Sequence, residues 1–156
     1  MAEPSPPIMA GDKTDQAASR AEPAHWLIKS EPSAYGWDDL VRDGRTGWTG
    51  VRNHQAAIYL RAMRLGDTGL FYHSNTGLEA VGLFEVVKES YPDPTDPAGR
   101  FVAVDVAPRE ALARPVTLAA MKAAPALREM AMFRQFRLSV VPISGAEWAT
   151  ILAMAA

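Results

Sequence analysis

The 156-residue chain has no cysteine, which excludes disulfides, thiol catalysis and cysteine-based metal sites. It has three histidines, His25, His54 and His73, no two of them four residues apart, so a zinc centre is not expected. No apolar run approaches the roughly 20 residues a membrane helix needs, and no membrane association is expected. Positive charge is scarce: 16 Lys and Arg stand against 18 Asp and Glu, for a formal net charge of -2. That balance excludes sequence-blind coating of nucleic acid by bulk charge. The phosphate loop G-x-x-x-x-G-K-[ST], the dinucleotide fingerprint G-x-G-x-x-G and the nucleophile elbow G-x-S-x-G are all missing, and no cofactor is expected.

What is there is unevenly placed. Residues 1–24 hold Pro4, Pro6, Pro7 and Pro23, no aromatic residue, and four acids against Lys13 and Arg20. Such a stretch cannot bury enough apolar surface to offset its chain entropy, so it is expected to be a disordered tail. It lacks the basic start and apolar core of a signal peptide, and the cytoplasm is the expected compartment. Residues 25–156 are expected to form one neutral domain. Within it, residues 42–64 carry five Arg against Asp43, and residues 114–137 carry four Arg and Lys122 against Glu129. Each segment has a net charge of +4, whereas residues 79–110 have a net charge of -4. If the two basic segments meet, a positive face exists on a neutral domain; otherwise they are two solvated faces.

Local signals predict a strand at His25–Lys29, closed by Pro32, and a short helix at Trp37–Asp43, opened by Asp38 and Asp39 and stopped by Gly44. Three glycines around Trp48 predict a loop over residues 44–50. His54–Arg64 carries a helical apolar stripe with Gly66 as its cap. Strands are predicted at Thr68–His73, at Glu79–Tyr91 with a bend at Gly82, at Arg100–Val106 and at Phe136–Val141. A turn at Ser74–Gly77 follows the first of these. Helical pieces are expected at Thr117–Lys122 and Pro125–Met130, and Ser144 with Glu147 forms a capping box for a last helix. About five strands and four or five helices without βαβ alternation suggest a small mixed or mainly antiparallel barrel with inserted helices.

The remaining chemistry lies at element ends: Lys29-Ser30-Glu31, the run from Trp48 to Gln55, Phe71 to Asn75, and Arg137 to Val140. These are the parts of a base pocket. A single base needs an aromatic face, worth about 1–3 kcal/mol. It also needs hydroxyls, amides and a carboxylate at its pairing edge, and Arg or Lys at its phosphate. Each residue also has an ordinary role: Trp26 and Phe71 as core, Asn53 as a helix cap, Lys29 with Glu31 as a surface pair. Trp48, set between glycines in a polar stretch, is the strongest candidate for facing a ligand.

The motifs W-L-I-K-S-E-P (26–32), W-T-G-V-R-N-H-Q-A (48–56), L-F-Y-H-S-N (70–75), E-S-Y-P-D-P-T (89–95), R-P-V-T-L (114–118) and F-R-L-S-V-V-P-I (136–143) occur in this order. The sequence thereby resembles the EVE-domain family of the PUA-like superfamily, in particular its bacterial stand-alone members. The resemblance covers about Trp26 to Leu152. It implies an α+β fold, a mixed β pseudo-barrel of about five or six strands with short helices packed around it. It also implies a nucleobase pocket for a modified base in RNA or DNA. Carried over by position, the pocket residues are Lys29, Ser30, Glu31, Trp48, Val51, Arg52, Asn53, His73, Ser74, Arg137 and Ser139. The sequence departs from the family pattern at His54, where Tyr is usual, and at Gly36, where Ser or Thr would cap a helix. The leading expectation is a monomeric, non-catalytic reader of a modified base. The alternatives are a hydrolase of a modified nucleoside using Lys29 and Glu31, and a domain that binds a small metabolite.

Overall fold

The computed structural model describes residues 24–156; the expected tail, Ala24 apart, lies outside the described residues. Six strands form one mixed sheet: β1 (His25–Ser30), β2 (Thr46–Trp48), β3 (Thr68–His73), β4 (Glu79–Pro92), β5 (Val102–Thr117) and β6 (Val140–Ile143). Their order is β2-β5-β4-β3-β1-β6, so the sheet is open, with edges at β2 and β6. β1 and β3 run parallel, and every other pairing is antiparallel. The helices are α1 (Pro32–Tyr35), α2 (Trp37–Asp43), α3 (His54–Ala62), α4 (Leu118–Ala123), a 3-10 turn (Pro125–Leu127), α5 (Ala131–Arg134) and α6 (Gly145–Met154).

Both sheet faces are covered, so the central strands are apolar on both sides rather than alternating. Trp26, Ile28, Phe71 and Phe84 point to a core shared with Trp37 and Leu40 of α2 and with Ala56 and Leu60 of α3. Leu27, Leu70 and Tyr72 point to the opposite core, closed by Met121, Leu127, Met132 and Ile151. The capping box of α6 is formed: the Glu147 N–H donates to Ser144 Oγ at 3.1 Å, and the Ser144 N–H donates to Glu147 Oε1 at 2.9 Å. The same helix lays Trp148 flat on His25, with ring centroids 4.2 Å apart.

Several expectations are corrected. Residues 44–50 are not all loop, because Thr46–Trp48 pairs with β5 in the register Trp48↔Val104. This pairing depends on Gly47: a Cβ there would stand 2.7 Å from the Tyr91 hydroxyl. A distant partner thus overrides the local preference of a glycine-rich stretch. β5 runs 16 residues, eleven beyond Val106, to Thr117; its second half is largely exposed and is held by β4 rather than by apolar alternation. The predicted strand Phe136–Val141 begins only at Val140, because Leu138 N–H closes a turn onto the Gln135 carbonyl at 3.0 Å. Of Pro125–Met130 only Pro125–Leu127 is helical, as a 3-10 turn, and the separate helix α5 follows. Pro32 does end β1, but it also opens α1 from its first position, where a missing N–H costs nothing. α3 stops at Ala62 with Met63 as its cap, ahead of Gly66. The expected irregularity at Gly82 is present as a register shift between Ala80 and Gly82. The Trp37 indole occupies the space a side chain would need there, 2.5 Å from an ideal Cβ.

Candidate functional site

β1 and β3 run parallel and end together, with Ser30 beside His73. Beyond that shared end lies a cleft of about 860 Å³, enclosed also by the end of β2, the loop after it and the turn before β6. Its size falls within the roughly 300–1,000 Å³ usual for small-molecule sites. It brings together Lys29, Ser30, Glu31, Trp48, Val51, Arg52, Asn53, Ser74, Arg137 and Ser139, residues separated by up to the length of the domain in sequence. His73 does not join them. It lies on the other face of β3 from Tyr72, where its Nε2 accepts the Trp37 N–H at 3.1 Å and so caps the start of α2.

Trp48 is half-buried and braced by two rings. Phe71 meets it at 5.7 Å and 82°, and Tyr35 at 6.2 Å and 75°. Beneath β2, Asp105 ties the strands together: it pairs with Arg45 at 2.9 Å and accepts a hydrogen bond from the Tyr91 hydroxyl. Burial and this bond push the Tyr91 hydroxyl up to about 12.

The loop after Trp48 is held by Asp93, a residue sequence reasoning did not single out. Its carboxylate is buried and accepts from Gly50 N–H at 2.8 Å, Arg52 Nη1 at 3.0 Å, and the N–H and hydroxyl of Thr95, both at 2.7 Å. Burial works against its charge, but the donors from Thr95, Gly50 and Arg52 prevail and hold it well below the usual carboxylate range. Arg52 is therefore a clamp for the loop, with its charge already matched.

The remaining polar groups have defined hydrogen-bonding roles. Ser30 donates its hydroxyl to the Tyr35 carbonyl at 2.6 Å, which leaves its oxygen lone pairs as acceptors. Asn53 caps α3 by accepting from the Ala56 N–H at 3.0 Å through Oδ1, which leaves its amide NH₂ as a donor. Lys29 donates to the Phe136 carbonyl at 2.7 Å, and burial pushes its ammonium down from the ordinary value. No ion pair joins Lys29 to Glu31, which stands exposed at the N-cap of α1. Glu31, Ser74, Arg137 and Ser139 make no side-chain hydrogen bond or ion pair among the described residues. Val51 and Leu138 give the cleft apolar wall. No group of His, Asp or Glu among the described residues is placed to hold a metal ion.

The ring of Tyr72 also lines the cleft, and its hydroxyl is buried without a hydrogen-bond partner among the described residues. Tyr72 lies in the L-F-Y-H-S-N motif, and strand alternation turns it away from residues 71 and 73. An orphaned buried hydroxyl carries a desolvation cost of about 1–3 kcal/mol. Tyr72→Phe should therefore leave the unliganded protein as stable or raise its stability by about 1 kcal/mol. Urea denaturation measures this, and a clear loss of stability would mean that the hydroxyl has a partner in solution.

The EVE domain family model matches residues 24–154. Human thymocyte nuclear protein 1 is 33% identical over 165 residues, covering 84% of this chain and 73% of that protein. Its crystal structure in complex with 5-methylcytosine-containing DNA superimposes with a TM-score of 0.78 at 34% identity, covering 85% of this chain and 97% of that one. A protein of Rhodopseudomonas palustris, solved by NMR, has a TM-score of 0.81 at 50% identity, with 85% of this chain and 92% of that one covered. A YTH domain from Zygosaccharomyces rouxii, at 16% identity and a TM-score of 0.58 with 87% and 88% covered, shares the fold alone.

Proposed function

The chain belongs to the EVE-domain family, and on that premise we propose that it binds nucleic acid by accepting one modified base in the cleft beside Trp48. The observation that carries this reading is the braced Trp48 facing a set of uncommitted polar groups. The indole supplies the stacking surface. Ser30 and Glu31 offer acceptors and Asn53 offers a donor, the complement a pairing edge requires. Val51 and Leu138 suit an added methyl group. The related human protein has been solved bound to 5-methylcytosine-containing DNA, which makes that base the first to test. Asn53 thus serves both as helix cap and as edge reader, because the two roles use different ends of its amide.

Titration of oligonucleotides carrying 5-methylcytosine, N6-methyladenine or no modification should show tighter binding of one modified strand. Trp48→Ala should weaken that binding by roughly 5- to 100-fold, the value of one stacked base. Equal affinity for all strands, unchanged by Trp48→Ala, would falsify the reading. Thermal stabilisation by a free nucleoside or other metabolite, with none by nucleic acid, would favour a metabolite-binding domain.

A further inference from the structure

Phe136 is 58% exposed, a large apolar ring left in water although the chain has two cores to bury it in. Its position is fixed. The Lys29 ammonium lies 4.6 Å from the ring centroid and also bonds to the residue's own carbonyl. Gln135 beside it accepts the Tyr59 hydroxyl at 2.9 Å, which anchors the turn to α3. Phe136 borders the cleft and also a second hollow of about 560 Å³, walled by Gln55, Phe133, Arg134 and Arg137. The two hollows therefore meet at this ring.

Charge distinguishes this end of the molecule. In the first basic segment Arg42, Arg45 and Arg52 are matched by Asp39, Asp43, Asp105 and Asp93. In the second, Arg134 and Arg137 are exposed and form no ion pair among the described residues. An exposed aromatic ring flanked in sequence by two unmatched guanidinium groups, continuous with the cleft beside Trp48, suits a nucleotide: a flat apolar face joined to phosphate.

We propose that Phe136 is a stacking platform for the nucleotide adjacent to the one in the cleft, with Arg134 and Arg137 holding the phosphates of that step. This rests on the reading that the cleft takes a base, and it adds that the protein recognises at least a dinucleotide step rather than a lone nucleoside. Guanidinium and ring act on different parts of the ligand, so their effects separate. The ring responds to the presence of the neighbouring base, and the arginines respond to salt.

The test is a double-mutant cycle between protein and DNA. Wild type and Phe136→Ala are titrated with a single-stranded oligonucleotide bearing 5-methylcytosine, intact or with abasic residues on both sides of that base. Phe136→Ala should weaken binding of the intact strand by roughly 5- to 100-fold. It should have no effect on the abasic-flanked strand, which wild type should bind as weakly as the variant binds the intact one. Phe136→Leu, which keeps apolar bulk without a flat face, should behave like the alanine variant, and thermal melts check that both are folded. Arg134→Gln with Arg137→Gln should lower the slope of log affinity against log salt by about 1.4 for a single strand. An equal loss on both strands would place Phe136 in the base cleft itself and overturn the proposal. Wild-type affinity in Phe136→Ala would overturn it while leaving the single-base reading intact. Failure of wild type to prefer any modified strand over the unmodified one would overturn both.

Discussion

Asp93→Ala should destabilise the protein by about 1.5–3 kcal/mol, the range for hydrogen bonds to a charged group. The substitution takes away the acceptor shared by the Gly50 and Thr95 N–H groups, the Thr95 hydroxyl and the exposed Arg52 guanidinium. The loss is large against a typical domain stability of about 5–15 kcal/mol. It should also reach the cleft, because the same carboxylate fixes the loop that carries Val51, Arg52 and Asn53. Asp93→Asn keeps the shape and one acceptor oxygen, and it should lie between wild type and the alanine variant. The pH dependence has a definite sign. The folded carboxyl titrates well below its ordinary range, so the unfolded chain takes up its proton first as pH falls. The contribution of Asp93 is thus complete above the unfolded value near 4 and declines as the solution becomes more acid. Urea denaturation at pH 7 and pH 3 should show wild type losing stability across this interval and Asp93→Asn losing less. A cost below about 1 kcal/mol for Asp93→Ala, within the range of ordinary surface changes, would mean that the loop is held by other contacts.

How legible each part was depends on whether its cause is local. The α6 capping box, the acids at the start of α2 and the early strands are specified by neighbours in sequence, and the structure has them. β2 and the second half of β5 are not. Thr46–Trp48 is a strand because Val104 and Asp105 lie alongside it and because Gly47 makes room for the Tyr91 hydroxyl. The predicted strand Phe136–Val141 starts too early for the opposite reason: Phe136 is exposed in a turn, and no strand pairs with it. In the site, the motifs at the element ends converge because the parallel pairing of β1 and β3 brings Lys29–Glu31 to Ser74. His73 is the exception, since a strand sends alternate side chains to opposite faces. Asp93 was hidden in a proline-rich loop where a carboxylate reads as solvent-exposed, and only the tertiary donors reveal it as a clamp. The charge arithmetic has the same limit. Two segments of equal net charge look equivalent in sequence, yet three arginines of the first are matched by Asp39, Asp43, Asp93 and Asp105, whereas Arg134 and Arg137 of the second form no ion pair among the described residues.

Phe71→Ala should cost about 3–5 kcal/mol, as expected for truncating a buried Phe. Phe71 is fully buried and meets three other rings: Trp37 at 5.6 Å and 65°, Trp48 at 5.7 Å and 82°, and His73 at 5.8 Å and 82°. Edge-to-face contacts of this kind add about 0.5–1.5 kcal/mol beyond area burial. Phe71 is therefore the point at which core packing and the candidate site become one problem: its ring supports α2 through Trp37 and sets the resting position of Trp48. Phe71→Leu separates the two roles. It should cost less than about 1.5 kcal/mol, since it keeps most of the apolar volume, and the variant should fold. It removes the ring that braces Trp48, so its affinity for a modified oligonucleotide should still fall, although residue 71 is buried beneath the indole. Chemical denaturation gives the stability of each variant, and titration of Phe71→Leu gives the effect on binding. Wild-type affinity in that variant would show that the β2–β5 pairing and Tyr35 suffice to hold Trp48, and that Phe71 serves the core alone.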